Sequence, residues 1–247
     1  MLMTLASGAR LRIGQENYRN PWAYNFHIPL SSTVWNRKDL HTVEHQLSLF
    51  RWLGLALPEE LRGALHIDPR VRERVEQRLR QCGVDPPRYL LIQPTATLFT
   101  KQWPEASFAR LADLLSELSG LPVVLTVASH EAKTLALIKE RAKKEHHYWS
   151  DLRVEELFAL IEGCSLFVGN DSGPTHAAAA LKKPIVVVWG SSNFVAWHPW
   201  GAEHEVIRSS LPCMPCAGYT CHAFGNPKCI LDISVERVFL ACQKLLR

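Results

Sequence analysis

A doubly wound parallel α/β sheet is the fold that residues 84–210 predict, and three features carry that expectation. Short apolar runs of strand length recur, at residues 89–92, 122–127, 166–169 and 184–190. Stretches with helical spacing of apolar residues separate most of them, and strands alternating with helices build a parallel sheet covered on both faces. Polar loops follow three of the predicted strands. In such a sheet these loops lie at the carboxyl ends of the strands, where ligands bind.

Taken in order, residues 1–67 stand apart from the rest. They carry Gly14, Asn17, Asn20, Pro21, Asn25 and Pro29 without strand-helix alternation. One helix is predicted near 41–53, with Val43, Leu47, Phe50 and Leu53 at helical spacing. A second region, 68–247, opens at Asp68-Pro69 with a charged helix running through Leu79 and stopping near Gly83. Its arginines (70, 72, 74, 78, 80) alternate with Glu73 and Glu76, the pattern of a solvated face. Residues 89–92 form a strand, followed by an amphipathic helix over 104–118 with Phe108, Leu111, Leu114, Leu115 and Leu118 on one side. A strand at 122–127 and helices at 131–143 and 154–161 come next. Strands at 166–169, 184–190 and 205–208 and a last helix over 235–246 complete the series.

With 247 residues and 47% apolar content, the chain buries one large core or two modest ones. A formal net charge of +4 is too small to imply a nucleic-acid partner. No apolar stretch reaches the length of a bilayer span, and the first residues are too short for a signal-peptide core. The expected location is the cytoplasm, with at most peripheral contact with a membrane.

The densest chemical signal is Asn170-Asp171-Ser172-Gly173-Pro174-Thr175-His176, between an apolar strand and an alanine-rich helix. Pro174 suits a first helical turn, since its missing N–H would be unpaired there. Free amides around residues 172–175, backed by the helix dipole, would face an anion. The plainer alternative is a capped turn, with the alanines serving close packing. A second loop, from Gln93-Pro94-Thr95-Ala96-Thr97 to Lys101, offers hydroxyls and a compact cation suited to a phosphate oxygen; alone, Lys101 reads as a surface lysine. The third loop, Ala128-Ser129-His130-Glu131, carries a carboxylate that accepts ribose hydroxyls or simply favours the first turn of its helix. Together the three suit a sugar nucleotide or another diphosphate. Neither G-x-G-x-x-G nor G-x-x-x-x-G-K-[ST] occurs.

At these residues the chain resembles a family. Lys101-Gln102-Trp103-Pro104, then residues 170–179, then Trp189-Gly190 and Pro199-Trp200-Gly201 are similar to the pattern of glycosyltransferase family 9, the lipopolysaccharide heptosyltransferases. The resemblance implies a GT-B-like fold: a C-terminal domain with a doubly wound parallel sheet, here 68–247, and a remnant of a second Rossmann-like, acceptor-side domain, 1–67. It implies inverting transfer of heptose from an ADP-activated donor to the lipopolysaccharide inner core, with no cofactor required for catalysis. By position, Lys101 would contact donor phosphate or sugar with Thr97 beside it, and Glu131 would hold the ribose. Asp171 would bind donor-sugar hydroxyls, and the amides of Ser172 and Gly173, with His176 nearby, would cradle the diphosphate.

Three departures stand out. The loop at Ala128 lacks the family's glycine pair, and residues 191–198 replace a Pro-Thr-Asp-Pro-like stretch. The family's N-terminal strand and loop, whose Asp would be the general base, has no counterpart here, so no catalytic residue is identified. The expectation is weak donor binding with slow or no turnover, which leaves a non-catalytic sugar-nucleotide-binding module as the alternative to an active transferase. A GT-B-like nucleotide-sugar epimerase fits the fold but not the motif spellings.

Seven cysteines are present, four of them in one segment. The spacing of Cys213, Cys216, Cys221 and Cys229 allows a structural Zn²⁺, but reduced thiols in a tight Gly/Pro-rich loop are the favoured reading. The others, Cys82, Cys164 and Cys242, are expected as small core residues, and His146, His147, His198 and His204 as surface residues.

Overall fold

The structure, a computed structural model, describes residues 2–58, 61–216 and 218–247. It opens with α1 (Leu2–Ala6), β1 (Ile13–Gln15), β2 (Phe26–Ile28), α2 (Ser31–Trp35) and α3 (Thr42–Trp52). There follow α4 (Pro69–Gln81), β3 (Leu90–Gln93), α5 (Glu105–Ser119), β4 (Val123–Thr126), α6 (Ala132–Arg141) and β5 (His147–Trp149). Next come α7 (Val154–Gly163), β6 (Leu166–Asn170), α8 (Gly173–Ala180), β7 (Ile185–Trp189) and α9 (Phe194–Trp197). The chain finishes with β8 (His204–Arg208), α10 (Lys228–Leu231) and α11 (Val235–Leu245). Contacts divide it into two units, Met1–Leu61 with Phe194–His198, and Arg62–Asn193 with Pro199–Arg247.

In the first unit β1 and β2 pair in parallel, from Ile13↔Phe26 to Gln15↔Ile28. The sequence showed no strands here because three residues are too few for alternation to register. Helix α3 starts as expected but buries a different face: Glu44 and Ser48 are buried while Phe50 and Leu53 are exposed. The polar face is buried because it is satisfied. Glu44 accepts the His41 amide at 2.8 Å and pairs with Arg37, and Trp35 Nε1 donates to Ser48 Oγ at 3.0 Å. His41 caps the helix by accepting the Val43 amide at its Nδ1, so its Nε2 carries the hydrogen that meets the His198 carbonyl at 2.9 Å.

The second unit is built on a six-stranded sheet of order β5-β4-β3-β6-β7-β8, parallel throughout. Every residue of β3, β4, β6 and β7 is buried, which is why these strands read as unbroken apolar runs. Consecutive strands run outward in both directions from the β3–β6 pair, so the loops leaving these two strands diverge at a topological switch point. Helix α5 places Phe108, Leu111 and Leu115 fully in the core. Leu118 is exposed, two residues before the Gly120 cap that ends the helix.

Helix α4 begins on Asp68, whose carboxylate accepts the Arg70 amide at 2.8 Å, and ends before Gly83 at φ +75°. Its arginine face is solvated as the charge pattern suggests, with Arg70, Arg74 and Arg80 exposed and Arg72 and Arg78 half buried. Arg72 meets Glu162 at 2.6 Å and Arg78 meets Asp151 at 2.8 Å, which fastens α4 beside α7. The edge strand β5 was not foreseen, since His147 and Tyr148 are only half buried. His146 is buried rather than at the surface, with Nε2 2.9 Å from Asp113, and His198 and His204 are half buried. Asp113 also accepts the amides of Lys143 and Lys144, and so closes the turn into β5. Cys164 and Cys242 are core residues, whereas Cys82 is exposed at the end of α4. Among the described residues no helix is long and apolar enough to cross a membrane.

Candidate functional site

The switch point is built around Asn170, the last residue of β6 and fully buried. Its Nδ2 donates to the Pro94 carbonyl at 2.8 Å, and its Oδ1 accepts the Trp103 amide at 3.2 Å. Its own carbonyl accepts the Thr175 hydroxyl at 2.6 Å. One side chain thus ties the loop after β3 to the loop after β6. Trp103 is itself anchored, with Nε1 donating to the Ile233 carbonyl at 2.9 Å and its ring edge-on to Phe108. The Trp of the Lys-Gln-Trp-Pro segment is therefore a core pin that sets where Lys101 sits.

Lys101, at the end of a 3-10 turn, reaches Asp171 with Nζ 2.8 Å from Oδ2. The same oxygen accepts the Ser192 hydroxyl at 2.5 Å, and His176 Nε2 is 3.7 Å from Oδ1. The Asp171 side chain is 4% exposed and that of Lys101 23%, so this ion pair sits at the floor of the crevice with the ammonium edge open to solvent. Gly190, where β7 ends, makes the arrangement possible: a Cβ there would lie 2.1 Å from the Thr100 carbonyl.

Beside this cluster is a cavity of about 300 Å³ lined by the loops after β3, β4 and β6 together with residues of α7. It brings Thr97, Glu131, Ser172 and Gly173 together, as the sequence suggested. Lys101, Asp171 and His176 are grouped next to it rather than in its wall. Apolar residues Val127, Leu152, Val154 and Leu157 close one side. Glu131 Oε2 accepts the Ala128 amide at 3.2 Å and the Thr95 hydroxyl at 2.9 Å, so the carboxylate caps its turn and also lines the cavity.

At the start of α8, Pro174 has no N–H and the Thr175 amide is bonded to the Ser172 carbonyl at 3.1 Å. Thr175 is therefore not the free donor expected. The amides of Ser172 and Gly173 have no acceptor among the described residues, and a Cβ on Gly173 would meet nothing within 4 Å. An uncapped helix start facing open space offers backbone donors to an anion. Gln93, Thr95, Asn170 and Ser192 lie in segments quoted from the sequence, yet none was singled out there as a residue of the candidate site. Each is a polar side chain more than nine-tenths buried, a state that only the topology reveals.

The cysteine segment needs correcting. Cys213 and Cys216 are exposed, Cys221 is half buried and Cys229 is buried. All four line a separate cavity of about 380 Å³ with His222, but no three His, Cys, Asp or Glu side chains among the described residues converge on one metal position. Cys221 Sγ is turned to the Asn226 carbonyl at 3.2 Å. The zinc that the spacing allowed therefore has no support in this geometry. What the segment does is brace the site. Thr100 donates to the Gly218 carbonyl at 2.6 Å, and the Cys216 amide donates to the Ser191 carbonyl at 3.0 Å.

The family described as Glycosyltransferase family 9 (heptosyltransferase) matches residues 2–225. Lipopolysaccharide heptosyltransferase 3 of Escherichia coli K12 is 32% identical over 221 residues, which cover 83% of this chain and 60% of that protein. Lipopolysaccharide heptosyltransferase 2 of Salmonella typhimurium is 35% identical over 159 residues, 59% of this chain and 43% of that protein. Among solved structures, a family 9 glycosyl transferase from Veillonella parvula superposes with TM-score 0.81 at 23% identity, covering 96% of this chain and 67% of that one. Escherichia coli heptosyltransferase WaaC with ADP superposes with TM-score 0.67 at 21% identity, covering 95% of this chain and 66% of that one. These likenesses are of fold, and the GT-B-like α/β class is the one they share. The chain spans about 60% of the length of the curated relative first named.

Proposed function

Because this chain belongs to glycosyltransferase family 9, we propose that it forms the donor-binding side of a heptosyltransferase that uses an ADP-activated heptose. Region 68–247 is assigned as the nucleotide-sugar domain and 1–67 as the acceptor-side region. The apolar wall at Leu152 and Leu157 takes the base, Glu131 the ribose, and the Ser172 and Gly173 amides the diphosphate, with Thr97 at the rim. Lys101 and Asp171 face the sugar end, with His176 beside them.

In the transfer, an acceptor hydroxyl oxygen attacks the anomeric carbon from the face opposite the leaving group. The bond from that carbon to the phosphate oxygen breaks, ADP departs, and the configuration inverts. Charge grows on the departing diphosphate, and preorganised amides with a nearby ammonium stabilise it where it develops. This division of labour asks no cofactor of the chain. The acceptor under this proposal is the lipopolysaccharide inner core at the cytoplasmic face of the inner membrane. Its hydroxyl must lose a proton to a base within hydrogen-bond reach, and no residue of this chain is assigned that role.

The observation that carries the reading is the uncapped start of α8 opening on the same cavity as Glu131, one residue from the Lys101–Asp171 pair. Calorimetric titration of the purified chain with ADP, ADP-heptose and UDP tests it, followed by transfer to a heptose-deficient core acceptor. ADP and ADP-heptose are expected to bind and UDP to bind more weakly. Preference for UDP, or no binding by folded protein, rejects the donor assignment. Binding without transfer makes this chain, on its own, a sugar-nucleotide-binding module.

A further inference from the structure

Thr126 ends β4 and is 1% exposed, yet its hydroxyl makes no hydrogen bond to any described residue. A side-chain hydroxyl this deep in a fold normally has a partner. The polar groups around it are committed to one another instead. Gln93, which stands opposite Thr126 when the β3–β4 register is carried one pair on, turns its amide to Thr95 and Ser172. Thr95 donates to Glu131 Oε2, which also takes the Ala128 amide. Nor is the Thr126 oxygen sealed off, since His146 Nδ1 is the one sealed side-chain polar atom without a partner among the described residues. The space that reaches the Thr126 oxygen is the cavity beside the Lys101–Asp171 cluster, which Thr126 lines.

Position decides which part of a ligand this hydroxyl can meet. The strands run β5-β4-β3-β6, so the end of β4 lies two strands from the Ser172 and Gly173 amides, about 10 Å at ordinary strand spacing. A diphosphate held at those amides is too short to reach back that far. The nucleoside attached to it is long enough. On its other side Thr126 pairs with Trp149 of β5, and the apolar residues Leu152 and Leu157 follow that strand in the chain. Thr126 therefore lies, along the sheet, between the phosphate end of the cavity and its apolar wall.

We propose that Thr126 is a binding residue for the nucleoside of the donor, its hydroxyl bonding a ribose hydroxyl or a ring nitrogen of the base. A threonine hydroxyl both donates and accepts, so either group completes it. This rests on the donor-site reading above and adds to it a contact that the reading does not use. Binding satisfies a polar group that the fold itself leaves unmet. The hydroxyl therefore strengthens the complex while adding nothing to the stability of the free chain, the reverse of what a structural side chain does.

The test is calorimetric titration of ADP and of inorganic pyrophosphate into the wild-type chain, Thr126→Val and Thr126→Ser, with urea unfolding of each. Valine keeps the β-branched shape and removes only the hydroxyl. Thr126→Val is expected to bind ADP about fivefold more weakly, the factor one neutral hydrogen bond is worth. Pyrophosphate should bind Thr126→Val as it binds the wild type, and the urea midpoint should hold or rise, since no bond within the protein is lost. Thr126→Ser keeps the hydroxyl and should bind ADP within about twofold of the wild type. With 2′,3′-dideoxy-ADP, a gap between wild type and Thr126→Val that closes assigns the bond to the ribose, and one that persists assigns it to the base. Unchanged ADP affinity in Thr126→Val overturns the proposal, as does an equal loss for pyrophosphate or an equal loss in Thr126→Ser. If Thr126→Val does not fold, Thr126→Ser and Thr126→Ala differ by the same hydroxyl and should show the same gap. A folded wild-type chain that ignores ADP defeats the donor-site reading itself, and this inference with it. Wild-type binding without the loss in Thr126→Val defeats this inference alone.

Discussion

The ammonium of Lys101 and the hydroxyl of Ser192 converge on a single oxygen, Oδ2 of Asp171, at 2.8 and 2.5 Å. Asp171 is thus neutralised and oriented through one oxygen, while Oδ1 is left toward His176 and the crevice. Replacing Lys101 by Met strands a carboxylate that is 4% exposed. Breaking a fully buried pair costs about 3–5 kcal/mol. Because the lysine is 23% exposed, about 2 kcal/mol is the expected loss here. Lys101→Met/Asp171→Asn should recover most of that stability in urea unfolding, yet remain poor in ADP-heptose affinity. Recovery of both together would show that the pair is only structural.

Gly173 points its missing side chain into open space, and its backbone φ is not in the left-handed region. Gly173→Ala is therefore compatible with the fold, and stability should hold or rise by up to about 1 kcal/mol from helix propensity. The added methyl stands where a phosphate oxygen would approach the amides, so ADP affinity should fall about tenfold, 1.4 kcal/mol. A differential scan paired with calorimetry reads both effects. Unchanged ADP affinity would place the diphosphate elsewhere.

Gly190 behaves in the opposite way. A Cβ there meets the Thr100 carbonyl at 2.1 Å and Lys101 Cα at 3.1 Å, and both are backbone atoms of a pinned segment. Gly190→Ala should cost about 1–3 kcal/mol as overpacking and displace Lys101 from Asp171. Loss of stability and loss of donor binding are expected together, measured by urea midpoint and by titration.

Thiol chemistry separates the cysteines. Burial pushes Cys164 up to about 12 and also raises Cys242, and the thiolate is the reactive form. At pH 7.5 iodoacetamide should modify the exposed Cys82, Cys213 and Cys216 in folded protein. Cys164 and Cys242 should react only after denaturation, as peptide mass spectrometry will show. Early labelling of Cys164 would mean that the α7–β6 junction opens.

The central sheet could be read from the sequence because its strands are buried on both faces and its helices carry clear apolar stripes. Asp68 and Gly83 marked the ends of α4 by cap chemistry that acts within a few residues. Short or half-exposed elements were not legible: β1 and β2 have three residues each, and β5 is an edge with two half-buried rings. Helix α3 was placed correctly but turned the wrong way, since the burial of Glu44 depends on His41 and Arg37, partners no periodicity reveals. The site divides along the same line. Lys101, Glu131, Asp171 and Ser172 were visible because their loops follow strands, whereas Gln93, Asn170 and Ser192 act through partners brought near only by strand order.

The Asn170 amide sets the separation of the two diverging loops by holding Pro94 on one and Trp103 beyond it. With that spacing fixed in advance, a nucleotide bound as proposed would find little backbone freedom left to freeze. Preorganisation of this kind lowers the ordering cost of binding, so discrimination would rest on how well the guest fills the crevice.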